Sequence, residues 1–353
     1  GHFLLIDEPT NHLDAAARET VAAYLKRKTG FILVSHDRFF LDSCVDHILS
    51  LNRADIEVQS GNFSSWMTNF TYRQACELAQ NEQLKKEIGR LKQASARTAG
   101  WSDQIEGSKI GSGCADRGFV GHKSAKMMQR AKSIQSRQQK AIEEKSGLLK
   151  NTETAEAPKL LPLRYRNQTL ISCRDLSIRY GDRTVCGPVS FTLEQGERLA
   201  LNGKNGSGKS SLLKLILGED IKKTGTISMG SGLIISYVSQ DTSHLSGTLS
   251  DYASQCRIDE SLFKAILRKL DFERIQFTKD MAQFSGGQKK KVLIAKSLCE
   301  QAHLYLWDEP LNFIDIYSRM QIEQLILDVC PTIIFVEHDR AFRETIATKT
   351  LEL

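Results

Sequence analysis

Two stretches far apart in the chain share one succession of apolar and polar positions. Residues 3–14 read FLLIDEPTNHLD and residues 304–315 read LYLWDEPLNFID. Each opens as a short apolar run, the pattern of a buried strand, and closes in Asp-Glu-Pro followed by Asn-x-x-Asp. An amphipathic helical run comes next, then a second apolar strand. Each block ends in His-Asp-Arg, at His36-Asp37-Arg38 and at His338-Asp339-Arg340. Glu8 and Glu309 lie 301 residues apart, and His36 and His338 lie 302 apart. Two such blocks at nearly one offset indicate a tandem duplication.

The pattern changes between the copies. Leu78, Leu84, Ile88 and Leu91 recur at near-helical spacing, as do Met127, Ala131, Ile134, Ile142 and Leu149. A Gly/Ser-rich stretch at residues 107–121 separates them, which predicts an antiparallel helical hairpin with a loop tip. Three segments follow. Residues 1–68 are the C-terminal part of a first α/β domain. Residues 69–166 are a polar, Lys-, Gln- and Ala-rich linker ending near Pro158 and Pro162. Residues 167–353 are a second, nearly complete α/β domain. In that domain a phosphate-loop pattern centred on Lys209 precedes Glu309 by 100 residues. Its first-copy counterpart falls ahead of residue 1, so the chain is expected to start inside domain one.

Composition narrows the class. With 353 residues, 41% hydrophobic and 25% charged, the chain has the balance of a globular protein and length for two cores. No apolar run approaches the roughly 18 residues of a membrane span, and no signal peptide opens the sequence, so a cytoplasmic setting without membrane is expected. The eight cysteines contain no Cys-x-x-Cys pair, which argues against a zinc site or disulfide framework. The net charge of +6 is mild, so its placement matters more than its sum. Lys123, Lys126, Arg130, Lys132, Arg137 and Lys140 have no acid among them, and positions 123, 126, 130, 137 and 140 share one helical face. A basic stripe of this kind suits a phosphate backbone, or a solvated helix face.

The second domain carries the chemistry. Residues 203–210, GKNGSGKS, fit G-x-x-x-x-G-K-[ST] between an apolar strand and a helical run. Gly203, Asn205, Gly206, Ser207, Gly208, Lys209, Ser210 and Ser211 are the expected phosphate contacts. The glycines let backbone N–H groups curl around phosphate oxygens at a helix start. Lys209 would reach the β- and γ-phosphates of ATP, and Ser210 would bind Mg²⁺. Tyr180 ends an upstream strand, where it is either a packed tyrosine or, beside the phosphate loop, a ring that stacks on adenine. Asp308 and Glu309 end an apolar strand, and two acids there are costly unless they bind something. Asp308 fits a Mg²⁺ ligand outside the inner shell or acting through water. Glu309 fits the group that orients attacking water. His338 is placed for the γ-phosphate or for that water, and Gln240 for metal and water. Glu8 and His36 are the matching pair of the first copy. Ser285, Gly286, Gly287 and Gln288 open a basic amphipathic helix, a second anion-binding N-terminus. One ATP does not need two such sites in one domain, so this one is expected to face an ATP held by a partner domain.

Residues 203–210, Gln240, Ser285-Gly286-Gly287-Gln288, Asp308-Glu309, Asp315 and His338 together resemble the ATP-binding cassette ATPases across residues 167–353. The resemblance implies a nucleotide-binding domain with a P-loop core. It also implies two cassettes that sandwich MgATP head to tail. Asp7-Glu8-Pro9-Thr10-Asn11-His12-Leu13-Asp14, Gly61-Asn62-Phe63-Ser64-Ser65-Trp66 and the linker resemble the ABC-F branch, whose members act on ribosomes. That implies linker contacts with ribosomal RNA and P-site transfer RNA, through Lys123, Lys126, Arg130, Arg137 and Lys140. Residues 100–103 and 118–128 are similar to the Lsa- and Vga-like resistance group. That resemblance implies ribosomal protection against lincosamides, pleuromutilins and streptogramin A drugs, with residues 108–119 as the tip. An ATPase subunit of a transporter, a housekeeping ABC-F translation factor and a non-catalytic interaction module are the competing readings. Leu311, Phe313, Ile314 and Glu337 replace Thr10, His12, Leu13 and Ser35 of the first copy, and Phe284 stands where the signature more often has leucine. The two ATP sites are therefore expected to be unequal. Without the other half of the first domain, weak hydrolysis is expected of this chain.

Overall fold

A computed structural model describes residues 3–10, 13, 15–28, 30–51, 56–107, 133–134, 136–137, 140, 162–181 and 183–353. The chain forms two units, one of residues 1–64 with 155–353 and one of residues 65–154.

The first unit is built on a five-stranded parallel sheet in the order β12-β7-β11-β10-β9. Its strands are β7 (Arg198–Asn202), β9 (Ile235–Val238), β10 (Leu304–Asp308), β11 (Ile333–Val336) and β12 (Lys349–Glu352). Every residue of β10 and β11 is buried. A strand covered on both faces has no polar side, and these sequences read as unbroken apolar runs. One face packs against a cluster that includes Phe263, Ile294 and Phe342. The other carries Leu306, Ile334 and Val336 and packs with Leu212 and Ile216 of the helix Lys209–Ile216, and with Ile171 and Leu193. Ile171 and Leu193 belong to a three-stranded antiparallel sheet of β5 (Thr169–Tyr180), β6 (Arg183–Glu194) and β8 (Lys223–Met229).

The first copy repeats this geometry in miniature. β1 (Leu4–Asp7) and β2 (Phe31–Val34) pair in parallel with Leu4 opposite Phe31, as Tyr305 is opposite Ile333. The register carries the offsets of the sequence repeat. β3 (His47–Leu51) and β4 (Ile56–Ser60) form an antiparallel pair beyond α2 (Arg38–Cys44), and α1 (Ala15–Leu25) joins β1 to β2. The difference is burial. Leu5, Ile32 and Val34 are 77%, 54% and 50% exposed, whereas their counterparts Leu306, Ile334 and Val336 are fully buried. The bare side of β1 and β2 is the side that β10 and β11 turn toward the helix after the phosphate loop.

The second unit is entered by α3 (Phe63–Gly107), a 45-residue helix. Trp66 and Phe70, four residues apart, stack with centroids 5.2 Å apart, the neighbour relation of one helix face. Arg137 and Lys140 are helical and exposed. Lys123, Lys126, Arg130 and the tip at residues 108–119 lie outside the described residues. Among the described residues no helix is long and apolar enough to cross a membrane.

Candidate nucleotide site

The phosphate loop leaves β7 and enters α4 (Lys209–Ile216) through Gly208, the helix cap, in left-handed conformation with φ 90°. A Cβ on Gly208 would fall 2.6 Å from Cys186 Cβ, and one on Gly203 would fall 2.6 Å from the Leu353 carbonyl. Both positions therefore need glycine for space as well as for backbone angle. The Lys209 ammonium donates to the Gly203 and Lys204 carbonyls at 2.9 and 2.8 Å, across the mouth of its own loop. Ser207 Oγ is buried and has no hydrogen-bond partner among the described residues.

A cleft of about 330 Å³ opens over this loop. Asn205, Gly206, Gly208, Lys209, Ser210 and Ser211 line its floor, and Gln240, Glu309, Asn312 and His338 line it from other elements. Four segments distant in sequence thus converge on one space. Gln240 follows β9, Glu309 follows β10 and His338 follows β11, so neighbouring parallel strands deliver them at their carboxyl ends. That edge is where open α/β sheets bind ligands. Glu309 Oε2 accepts from Gln240 Nε2 and from Asn312 Nδ2, both at 2.8 Å. His338 Nε2 stands 3.7 Å from Glu309 Oε1, longer than a hydrogen bond. The His338 ring, with the Asn312 amide, holds the Glu309 carboxyl below its ordinary value against the opposing effect of burial. Glu309 is thus kept as an anion and an acceptor. Its backbone is left-handed, with φ 46°, and so is that of Glu8, with φ 44°. Non-glycine residues rarely adopt this geometry, and it recurs here at both strand-end acids.

Asp308 is 2% exposed, and its Oδ1 has no hydrogen-bond partner among the described residues. Burial raises its pKa, while the neighbouring Ser210 hydroxyl and the nearby Lys290 and Lys209 charges act against the rise. An orphaned acid oxygen beside a serine hydroxyl fits a divalent cation that takes most of its ligands from phosphate and water. Ser210, Asp308 and Gln240 are the residues that would hold Mg²⁺, whose chemistry is to neutralise charge on the phosphates.

The other expected residues lie elsewhere. Tyr180 ends β5 and is half exposed, while the antiparallel sheet contributes Val185 to the cleft lining. Ser285, Gly286, Gly287 and Gln288 do not line the cleft. Ser285 caps α7 (Gly286–Cys299) in a reciprocal box, with Ser285 Oγ accepting from Gln288 N and Gln288 Oε1 accepting from Ser285 N. A Cβ on Gly287 would lie 2.3 Å from the Phe313 carbonyl, so the helix start is pressed onto the loop after Glu309. His36 Nε2 stands 3.3 Å from Glu8 Oε1. Burial, then the Arg319 charge, lowers the His36 pKa, and burial pushes Glu8 up to about 6.

Sequence reasoning passed over several residues. Asn312 repeats Asn11 in the Asp-Glu-Pro-x-Asn pattern and was visible there. Arg18 and Arg319 also repeat, 301 residues apart. Arg18 Nη1 donates to Asp37 at 2.5 Å and to the His338 carbonyl at 3.2 Å. Arg319 Nη1 donates to Asp339 at 2.8 Å and to the His36 carbonyl at 3.1 Å. Each arginine binds the aspartate of its own copy and the histidine backbone of the other.

A phosphate loop and a strand-end acid pair on a parallel sheet, with a capped Ser-Gly-Gly helix beside them, define an ATP-binding cassette ATPase domain. The family described as ABC transporter matches residues 186–312. The chain is 28% identical over 359 residues to the ribosome protection protein VmlR of Bacillus subtilis (strain 168), covering 97% of the chain and 63% of VmlR. It is 27% identical over 364 residues to the energy-dependent translational throttle protein EttA of Haemophilus influenzae, covering 99% of the chain and 60% of EttA. Among solved structures, the complex of archaeal ribosomal stalk protein aP1 with ribosome recycling factor aABCE1 matches with TM-score 0.61 and 19% identity. That match covers 99% of the chain and 57% of the matched one, and it supports the fold. The cassette match and the likeness to these relatives along almost the whole chain support an ABC-F ATPase. The chain spans about three fifths of the length of these two relatives.

Proposed function

We propose that the chain binds and hydrolyses MgATP as part of an ABC-F protein that works on the ribosome in the cytoplasm. The observation that carries the chemistry is the convergence of Gln240, Glu309, Asn312 and His338 above the phosphate loop. In this reading the loop, Lys209 and Ser210 grip the phosphates, and Tyr180 covers the adenine. Glu309, held anionic and aimed by two amides, orients the attacking water, with His338 beside the terminal phosphate. Catalysis is then mainly positioning and electrostatics.

The bare face of β1 and β2 takes the phosphate-loop half of the first cassette. Leu5, Ile32 and Val34 support this, because their counterparts are buried by such a half in the second copy. Glu8 and His36 then serve a second ATP, with Ser285, Gly286, Gly287 and Gln288 as its opposing signature.

The linker, with Lys123, Lys126, Arg130, Arg137 and Lys140, meets ribosomal RNA and P-site transfer RNA. The finer reading is protection against lincosamides, pleuromutilins and streptogramin A drugs. It rests on the linker resemblance and on the likeness to VmlR. The test is ribosome pelleting of the full-length protein carrying Glu309→Gln, with ATP, followed by drug-susceptibility assays of cells expressing the wild type. Retention of the variant on ribosomes and raised resistance are expected. Equal pelleting with and without ATP would sink the ribosomal reading, and unchanged susceptibility would sink the finer one.

A further inference from the structure

Lys290 sits in the first turns of α7, two residues beyond Gln288, and is 3% exposed. Its ammonium donates to the carbonyls of Ser239 and Glu309, each at 3.0 Å. Ser239 precedes Gln240, so one cation grips the backbone on both sides of the Gln240–Glu309 hydrogen bond. The grip on Glu309 falls at its left-handed peptide, a conformation that persists only where the surroundings hold it.

A buried ammonium is costly unless charge and acceptors meet it. Glu337 and Asp308 supply nearby negative charge that opposes the desolvation. Glu337 is itself 4% exposed, and its oxygens are occupied. Oε2 accepts from Leu311 N at 3.1 Å, and Oε1 accepts from His338 N at 2.8 Å and Asp339 N at 3.3 Å. At the positions that match Leu311 and Glu337, the first copy has neutral groups. Ser35 Oγ accepts from Asp37 N at 3.2 Å and bonds Thr10 Oγ1 at 3.3 Å. Where Leu311 replaces Thr10 that hydroxyl is gone, and the longer Glu337 reaches the Leu311 backbone instead. The exchanges at 311 and 337 are thus one arrangement, and it places a buried anion near Lys290.

We propose that Lys290, compensated by Glu337, is a positioning residue of this nucleotide site. It braces Gln240 and Glu309 where a third phosphate reaches them and ties both to the signature helix, so the brace is felt by ATP and not by ADP. The proposal rests on the ATP reading above and names a determinant within it.

Calorimetry with the whole chain tests this, using ADP and the non-hydrolysable analogue AMP-PNP, each with Mg²⁺. Lys290→Met is expected to weaken AMP-PNP about tenfold and to change ADP by less than about twofold, the scale of one or two charge-assisted hydrogen bonds. Lys296→Met, on the same helix but paired with Glu300, is expected to change neither. Lys290→Met with Glu337→Gln restores the charge balance without restoring the brace, and is expected to stay weak for AMP-PNP. If Lys290→Met does not fold, Lys290→Gln carries the same expectation. Equal loss for both nucleotides, loss for neither, or recovery in the double variant overturns the proposal. Lys209→Ala is the separate control. If it binds both nucleotides as well as the wild type does, the ATP reading falls first and this one with it.

Discussion

Glu8 and Glu309 end equivalent strands with nearly the same left-handed backbone, yet their carboxyls are displaced in opposite directions. Glu309 has the His338 ring and two amide donors beside it, which favour the anion. Glu8 is desolvated, and its partner His36 is itself pushed toward the neutral form. The signs for stability follow from proton linkage. A carboxyl raised to about 6 holds its proton longer in the folded state, so its cost grows as pH rises from 4.5 to about 6 and is complete above that. A depressed carboxyl stabilises above its ordinary value and loses that contribution as pH falls through its folded value. Glu8→Gln is therefore expected to raise the urea midpoint at pH 7.5 and to leave it nearly unchanged at pH about 4, and the Glu8 shift corresponds to roughly 2 kcal/mol. Glu309→Gln is expected to lower the midpoint at pH 7.5. Denaturation curves at the two pH values decide, and the same sign for both variants would contradict the account. The repeat exposed both acids and both histidines to sequence reasoning. It did not expose Lys290, because Lys289-Lys290-Lys291 reads as a solvated basic run. In the fold, Lys290 and Lys291 are buried, and Lys291 pairs with Asp315 at 2.8 Å.

Two adjacent glycines separate cap chemistry from packing at the scale of one element. Both belong to the capped start of α7, which sequence alone reads as a helix N-terminus. An added Cβ at Gly286 meets the Phe313 ring at 3.5 Å, ordinary contact, whereas at Gly287 it meets the Phe313 carbonyl at 2.3 Å. Backbone does not yield as a side-chain tip does. Gly287→Ala is expected to cost about 1–3 kcal/mol by overpacking, and Gly286→Ala less than about 0.5 kcal/mol. Equilibrium unfolding of the two variants measures this, and equal costs would place the constraint in the cap instead. Phe313 itself has φ 65°, so the loop that Gly287 touches is held in an uncommon shape.

Across the larger unit, the two copies are stitched reciprocally by Arg18 and Arg319. A third contact runs from Arg38 to Glu323, and Arg340 lies 4.9 Å from the Phe39 ring. Because Arg18 donates to the His338 carbonyl, the first copy bears directly on the histidine of the second copy's cleft. Arg18→Ala is expected to speed amide exchange at residues 336–342 about tenfold while leaving β5 and β6 unchanged, since local opening follows lost hydrogen bonds. Unchanged exchange at 336–342 would remove the link.

Local chemistry written in short stretches was fixed by the amino-acid order alone: the phosphate loop, the strand-end acids, the capped helix start and the repeat with its offsets. Each depends on neighbours in the chain, on glycine at a turn or on an apolar run that must become a buried strand. Only the folded chain decided which polar groups meet. It brought Asn312 and Gln240 to one carboxylate, buried Lys290 beneath it, and set each copy's arginine on the other's histidine. Burial and long-range hydrogen bonds join residues tens to hundreds of positions apart, and no local pattern encodes such distances.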